Sequence, residues 1–290
     1  MTTTAPATAA ESLAGLARVR PAGWLANPMP RDQDAVLARA REVLERDHPG
    51  IDGRLTLLAA RYTAAVVAVH TPAGTAALKL HADPAAYAGE SLAYTLLDQT
   101  APVALLHDES PRSLSMVIEY LPKPFAPRPA FPEVLVDRVA AVHTASLRLA
   151  PDAATAMAPF RLGEAAGPLW IVDRSAWADV ICAHREAYGP NLVPFGHLDL
   201  KPEHLRVRAD GTAVLLDVET LRPDVTGLID LVTLPAVLRQ AGHEIAPTRV
   251  AAMYRSATAV YGGGWSAAGL RTALRAFAAA TGLESLHGLI

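Results

Sequence analysis

The sequence predicts an α+β protein of two lobes, in which a small antiparallel sheet with one helix precedes a mainly helical part. Three observations predict this class. Strand-like and helix-like runs follow one another in the order β-β-β-α-β-β up to residue 120. Five prolines then interrupt the pattern within residues 121–132, and helical periodicity dominates the rest. With 290 residues, the chain is long enough to bury two sizeable cores.

The first lobe is predicted from alternating patterns that turn residues interrupt. Residues 1–30 are rich in Ala, Thr and Pro and are expected to form a flexible tail. Pro84 suits the first turn of a helix, and Thr71-Pro72-Ala73-Gly74 suits a hairpin. The expected elements are a helix over 33–47, strands over 55–60, 64–70 and 76–81, a helix over 84–98, and strands over 103–107 and 114–120.

The second lobe is predicted to begin after the proline-rich connector. We therefore expect an N-terminal lobe over 31–121 and a helical C-terminal lobe over 122–290. The expected elements are helices over 133–149 and 177–188, short strands over 205–207 and 213–216, and about three helices from residue 228 onwards.

Composition excludes several classes of protein. Hydrophobic residues make up 51% and charged residues 19%, which is typical of a globular chain and not of a disordered one. A net charge of −3 gives no sign of nucleic-acid binding. The single Cys182 excludes an internal disulfide and is expected to be a packing residue. Without a signal peptide or a long apolar run, we expect a cytoplasmic monomer or homodimer with no membrane partner.

Two aspartates stand in a pattern that suits phosphoryl transfer. Residues 197–204 read HLDLKPEH, and residues 215–219 read LLDVE. Phosphoryl transfer needs one carboxylate for the attacking hydroxyl and another for the metal on the phosphates. Asp199 and Asp217 suit these two roles in that order. The alternative for each is an ordinary turn or capping aspartate.

These motifs resemble those of the aminoglycoside phosphotransferase family, which has the bilobal protein-kinase-like fold. That family's catalytic loop commonly reads HGDxxxxN and is followed by IDxE, where this chain has HLDLKPEH and LDVE. The DLKPE segment is also similar to the loop of protein serine/threonine kinases. The resemblance covers roughly residues 50–235. It implies transfer of a phosphoryl group from ATP or GTP, with Mg²⁺, to the hydroxyl of a small molecule.

The resemblance also implies roles for the residues of this loop. Asp199 would orient the acceptor hydroxyl, and Asp217 would bind Mg²⁺. Lys201 would reach the γ-phosphate, the alternative being a surface lysine. His197 would brace the loop, and Asp230 would be the structural aspartate of a Gly-x-x-Asp motif. Glu219, two residues after Asp217, would face the same site.

Nucleotide binding is predicted from the first lobe. Lys79, alone among apolar residues in the third strand, would bind the α- and β-phosphates, and Glu90 on the next helix would pair with it. The alternatives are a solubilising edge-strand lysine and a solvated helix glutamate. The backbone from Glu119 to Leu121 would contact the adenine edge, a placement that depends on the resemblance alone.

Two positions depart from the family pattern. The loop between the first two strands has no glycine, so Thr63, its backbone or Arg61 would have to contact phosphate. His204 stands where the family has asparagine. Imidazole suits softer metals than Mg²⁺, so His204 would hold a metal weakly, leave a single-metal site on Asp217, or serve substrate or phosphate.

The distribution of charge bears on the acceptor. Residues 231–290 contain two acids and five arginines, so this part is basic and suits a neutral or anionic acceptor better than a polycationic aminoglycoside. A nucleoside-type antibiotic, a sugar or another alcohol would fit, with antibiotic resistance as the implied role. Five aromatic residues are candidates for stacking on a ring or for core packing, namely Trp170, Trp177, Tyr188, Tyr254 and Trp265.

Two other functions remain open at this stage. A non-catalytic nucleotide- or ligand-binding module would explain the missing glycines and His204. A protein kinase is disfavoured, because the sequence has no Asp-Phe-Gly, no Ala-Pro-Glu and no recognisable activation segment after Asp217.

Overall fold

The computed structural model describes residues 28–98, 100–126, 129–163, 171–196, 199–218 and 227–283. These residues form two compact units. The first contains residues 28–98 and 103–122, and the second contains residues 100–102 and those from 123 onwards. Residues 1–27 of the predicted tail lie outside the described residues. Met29 is buried, and its N–H donates to the Tyr62 carbonyl at 3.0 Å, so the last residues of the predicted tail are packed.

A five-stranded antiparallel sheet with two helices makes up the first unit. Its strands have the order β1-β2-β3-β5-β4. Asp32 and Asp83 cap the two helices by accepting hydrogen bonds from Ala35 and Ala85 N–H groups. The elements are α1 (Gln33–Asp47), β1 (Arg54–Ala60), β2 (Ala64–Thr71), β3 (Gly74–His81), α2 (Pro84–Leu97), β4 (Leu106–Ser110) and β5 (Ser115–Glu119).

The core of this unit lies between α1 and one face of the sheet. Val36, Ala40, Val43 and Leu44 follow helical spacing on α1, and all four are buried. They belong to one cluster of buried apolar residues with strand residues such as Val67. The hydrophobic periodicity of the sequence therefore placed α1 and the three strands that follow it correctly.

The fourth strand begins later than the sequence predicted. Val103 and Ala104 are buried, but the strand β4 starts only at Leu106, which pairs with Ile118 on β5. The N–H of Leu105 donates to the side-chain carboxylate of Glu119 at 3.2 Å and not to a backbone carbonyl of β5. An irregular segment whose apolar residues are buried can therefore have the sequence pattern of a strand.

Helices and one short hairpin make up the second unit. The hairpin pairs β6 with β7 in antiparallel fashion. The elements are α3 (Phe131–His143), α4 (Pro151–Ala156), α5 (Arg174–Tyr188), β6 (Leu205–Val207), β7 (Ala213–Leu215), α6 (Leu228–Gln240), α7 (Pro247–Val260) and α8 (Ala267–Thr281), with 3₁₀ turns at Ala145–Arg148, Ala158–Phe160 and Pro202–His204.

The helix predicted over 133–149 is shorter in the structure, where α3 ends at His143. The Arg148 guanidinium donates to the carbonyls of Ala141 at 2.8 Å and Thr144 at 3.3 Å. Because these carbonyls find a side-chain donor, the helix ends without leaving them unsatisfied, and a 3₁₀ turn follows.

Two predictions from composition can be compared with the structure. Within the described residues, no helix is both long and apolar enough to cross a membrane. Cys182 is exposed on α5, so the prediction that it packs in the core is wrong. It belongs to the solvent-facing side of an amphipathic helix whose opposite side is buried.

Candidate active site

The β6–β7 hairpin brings two predicted metal ligands together. Leu205 pairs with Leu215, and the Leu216 N–H donates to the His204 carbonyl at 2.9 Å. His204 ends the 3₁₀ turn directly before β6, and Asp217 lies two residues after β7. Antiparallel pairing therefore places His204 and Asp217 at the same end of the hairpin.

Asp199 lies beside this pair. One ligand atom each from Asp199, His204 and Asp217 can be chosen so that all three atoms lie within 4.8 Å of one another. His204 Nε2 and Asp217 Oδ2 are 3.6 Å apart. This distance exceeds a hydrogen bond, and it suits two ligands of one ion, because ligands at about 2.1 Å lie roughly 3 to 4 Å from each other. Two carboxylates and one imidazole fit a divalent cation chemically.

The backbone of Asp217 adopts an uncommon conformation. Its φ is +62°, in the left-handed region that few residues other than glycine occupy. Aspartate tolerates this region better than most residues, since its short polar side chain can bond locally. The chain thus turns sharply at the position where the sequence predicts a metal ligand.

Lys201 contacts the predicted catalytic carboxylate. Its Nζ donates to Asp199 Oδ2 at 2.7 Å, and both side chains are partly exposed. A charge-assisted bond of this length fixes the orientation of the carboxylate. The predicted contact of Lys201 with a γ-phosphate stays a prediction, and the contact with Asp199 was not foreseen.

Lys79 and Glu90 form a buried ion pair in the first unit. Lys79 lies on β3, which pairs with β2 on one side and β5 on the other, so the alternative of an edge-strand lysine is excluded. Glu90 shares a face of α2 with Tyr87 and Ser91, both of which are buried. The Lys79 Nζ lies 2.9 Å from Glu90 Oε2.

His81 is a third member of this cluster that sequence reasoning missed. Its Nε2 lies 3.0 Å from the same Glu90 Oε2. Residues two apart on a strand share one face, so the spacing of Lys79 and His81 was the available signal. Burial works to raise the pKa of Glu90, but Lys79 and His81 outweigh it and lower the pKa to about 2. Glu90 is therefore an anion in the folded protein at neutral pH.

The predicted adenine and phosphate contacts are only partly available. The Glu119 N–H donates to the Leu105 carbonyl at 2.8 Å, so an adenine contact would need other backbone groups of residues 119–121, and Leu121 itself is buried. The glycine-free loop is a tight turn of residues 61–63 between β1 and β2. Thr63 is exposed there, and its carbonyl accepts from Ala82.

Asp230 is structural, as its place in Gly-x-x-Asp predicts. It is buried, and its Oδ2 lies 2.9 Å from His143 Nε2, while His143 Nδ1 lies 2.8 Å from the Tyr254 hydroxyl. A Cβ added at Gly227 would lie 2.3 Å from His143 Nδ1. Glycine at this position therefore allows the chain to approach the imidazole closely.

The aromatic residues proposed for stacking belong mostly to the core. Trp177, Tyr254 and Trp265 are buried. Tyr188 and Trp265 meet edge to face with ring centroids 5.4 Å apart, and the indole N–H donates to the Tyr188 hydroxyl. Core packing, the alternative for these rings, is what the structure shows.

Several predicted residues lie outside the described part of the chain. These are His197, Glu219 and Trp170. Among the described acids near them, Asp173 caps α5 by accepting from Ser175 and Ala176 N–H groups. Its Oδ1 is therefore engaged in capping that helix.

Comparison with known proteins identifies the fold. No protein-family model matches the sequence, and no curated protein matches it. The structure is similar to the macrolide 2'-phosphotransferase MphH from Brachybacterium faecium, with a TM-score of 0.51 and 18% identity over 83% of this chain and 89% of that chain. It is also similar to the Plasmodium vivax ethanolamine kinase Pv091845, with a TM-score of 0.51 and 8% identity over 97% of this chain and 87% of that chain. The chain therefore shares the kinase-like α+β fold of these two structures, which is the fold that its catalytic-loop motifs predicted.

Proposed function

We propose that this protein transfers the γ-phosphoryl group of ATP or GTP to a hydroxyl group of a small molecule. The observation that carries the proposal is the cluster of Asp199, Lys201, His204 and Asp217. This chemistry needs a hydroxyl-orienting carboxylate and a metal-binding carboxylate, and the closeness of Asp199 to Asp217 supports these two roles. The names of the two similar structures, a macrolide phosphotransferase and an ethanolamine kinase, support the same reaction class.

Asp199 would act on the acceptor. Its carboxylate accepts a hydrogen bond from the substrate hydroxyl and takes the proton as the oxygen bonds to the γ-phosphorus. The bond from that phosphorus to the β–γ bridging oxygen breaks, and a nucleoside diphosphate leaves. Lys201, at 2.7 Å from Asp199, holds the carboxylate in one orientation.

The remaining residues would bind the nucleotide. Lys79, fixed by Glu90, supplies the cation for the α- and β-phosphates. Asp217 and His204 would hold a divalent cation, for which the family resemblance implies Mg²⁺. Such a cation neutralises charge on the β- and γ-oxygens when bound. Thr63 and the backbone of residues 119–121 remain the proposed contacts of phosphate and adenine.

The acceptor that we propose is neutral or anionic, such as a nucleoside-type antibiotic, a sugar or another alcohol. The part of the chain from residue 231 onwards has five arginines against two acids, and Arg239, Arg249 and Arg271 are exposed. Exposed positive charge disfavours a polycationic aminoglycoside. A role in antibiotic resistance is part of this proposal and depends on the family resemblance.

Transfer from radiolabelled ATP and GTP to a panel of neutral and anionic hydroxyl compounds tests the function. The wild-type protein should phosphorylate at least one compound, and Asp199→Asn should lower kcat by about 10²- to 10⁴-fold. Asp173→Asn is a matched control, because Asp173 caps a helix. Transfer that survives Asp199→Asn intact would refute the assignment of the catalytic carboxylate.

Nucleotide binding without transfer would favour a second candidate, a non-catalytic nucleotide-binding module. The glycine-free turn at residues 61–63 is the observation that favours it. Thermal melting with each nucleotide and a divalent cation separates the candidates. A cation-dependent rise in Tm that is lost in Asp217→Asn, in a protein inactive on every acceptor, would favour the module.

A further inference from the structure

His204 changes the chemistry of the metal site. The family pattern has asparagine at this position, whose carboxamide oxygen is a hard ligand that suits Mg²⁺. The imidazole of His204 is a nitrogen ligand, and nitrogen ligands favour first-row transition ions over Mg²⁺. The substitution therefore alters which cation the site prefers, provided that the ring nitrogen reaches the ion.

The structure satisfies this condition. His204 Nε2 lies 3.6 Å from Asp217 Oδ2, which is within the range for two ligands of one ion at about 2.1 Å each. A carboxylate oxygen of Asp199 lies within 4.8 Å of both, which leaves the acceptor hydroxyl that Asp199 would orient next to the ion. The neighbouring Glu203 is exposed and does not join the cluster.

The hairpin holds the imidazole in this place. The His204 N–H donates to the Lys201 carbonyl at 3.1 Å, and the His204 carbonyl accepts from Leu216. The His204 side chain is only 12% exposed. Because the backbone is held on both sides and the ring is mostly buried, the side chain has few other positions to lose on binding a metal, which favours coordination.

We infer that His204 and Asp217, beside Asp199, form a mixed nitrogen and oxygen site that takes a first-row transition dication in preference to Mg²⁺, with Mn²⁺ as the probe. This inference rests on the proposed function, since the bound cation would serve the nucleotide phosphates. The nitrogen of His204 is the selective element, and the carboxylate of Asp217 accepts either ion.

Electron paramagnetic resonance of Mn²⁺ tests this inference directly. In the presence of ADP, the spin-echo modulation of bound Mn²⁺ should show a directly coordinated ¹⁴N nucleus in the wild-type protein. The modulation should disappear in His204→Asn. Mn²⁺ and Mg²⁺ titrations of the same samples should show that His204→Asn lowers the ratio of Mn²⁺ to Mg²⁺ affinity by roughly tenfold or more.

Controls make the outcome independent of folding and of catalysis. Glu203→Gln, next to His204 but outside the cluster, should keep the ¹⁴N modulation and the affinity ratio. Circular dichroism of each variant should show an unchanged fold, and His204→Gln serves as a second variant if His204→Asn does not fold. Bound Mn²⁺ without ¹⁴N modulation, an unchanged affinity ratio, or no Mn²⁺ binding would each overturn the inference.

The results that would refute the proposed function differ from those that would refute this inference. If the inference is wrong but transfer with Mg²⁺ still depends on Asp199, the protein is a phosphotransferase with an oxygen-only metal site. If the ¹⁴N signal is present but no acceptor is phosphorylated, the metal site is as inferred and the proposed function fails.

Discussion

The Nζ of Lys79 lies 2.9 Å from Oε2 of Glu90, and both side chains are buried. One partner lies on a central strand and the other on the helix that follows it. Removal of one partner from a buried pair leaves the other charge uncompensated. The same contact thus links the stability of the first unit to its proposed role in nucleotide binding.

Acid should lower the stability of the first unit by protonating Glu90. Because the folded pKa of Glu90 is about 2, below its ordinary value of 4.5, its stabilising contribution is present above pH 4.5 and is lost as the pH falls toward 2. In urea unfolding between pH 4 and 3, the free energy of unfolding should fall more steeply for the wild type than for Glu90→Gln, by up to about 1.4 kcal/mol per pH unit. Parallel slopes for the two proteins would contradict the lowered pKa.

Lys79→Met should weaken nucleotide binding far more than His81→Gln does. Lys79 supplies the proposed contact with the phosphates, whereas the His81 imidazole lies against Glu90 and packs edge-on beside Tyr87. Isothermal titration with a nucleotide should show a loss of affinity of tenfold or more for Lys79→Met, equivalent to about 1.4 kcal/mol, and a smaller loss for His81→Gln. Equal losses would indicate that the lysine acts only through the fold.

Lys201→Met distinguishes two roles of this lysine. If it positions Asp199, with which it shares a 2.7 Å hydrogen bond, kcat should fall while the KM for nucleotide stays unchanged. If it binds the γ-phosphate, the KM for nucleotide should rise. We expect the first result. Since both side chains are partly exposed, the free energy of unfolding should change by less than about 1 kcal/mol.

Gly227→Ala should destabilise the second unit, because the added methyl group would clash with the His143 imidazole. The added Cβ would lie 2.3 Å from His143 Nδ1, which bonds the Tyr254 hydroxyl. We expect a loss of about 1 to 3 kcal/mol in urea unfolding. In a His143→Ala background, the same change should cost much less, because the clash is gone. Additive losses in this double-mutant cycle would exclude the close contact as the cause.

Gly53→Ala provides a corresponding test in the first unit. Its Cβ would lie 2.3 Å from the backbone carbonyl oxygen of His70, which cannot move without disturbing the pairing of β1 and β2. The free energy of unfolding should fall by about 1 to 3 kcal/mol. Gly269→Ala, whose nearest neighbour is the movable Ser266 hydroxyl at 3.0 Å, is the matched control and should cost less. A larger loss in the control would contradict this reasoning.

The sequence alone determined the class of the fold and singled out the residues that we propose for the chemistry. Helical spacing located α1 to the residue, and alternation located the first three strands within two residues at each end. The pattern of α1 is readable because its buried residues follow helical spacing on one face. The strands β2 and β3 are readable because apolar residues are buried along them. Asp199 and Asp217 were recognisable because the proposed reaction, phosphoryl transfer, needs two carboxylates in this order along the chain.

Only the tertiary structure decided which side chains meet. The contacts of His81 with Glu90 and of Lys201 with Asp199 connect residues on different elements or across a turn, and a sequence does not contain distances. The early end of α3 was decided by Arg148, a residue beyond the helix that binds its last carbonyls. The distance between His204 and Asp217 likewise arises from the pairing of β6 with β7, which brings together residues thirteen positions apart.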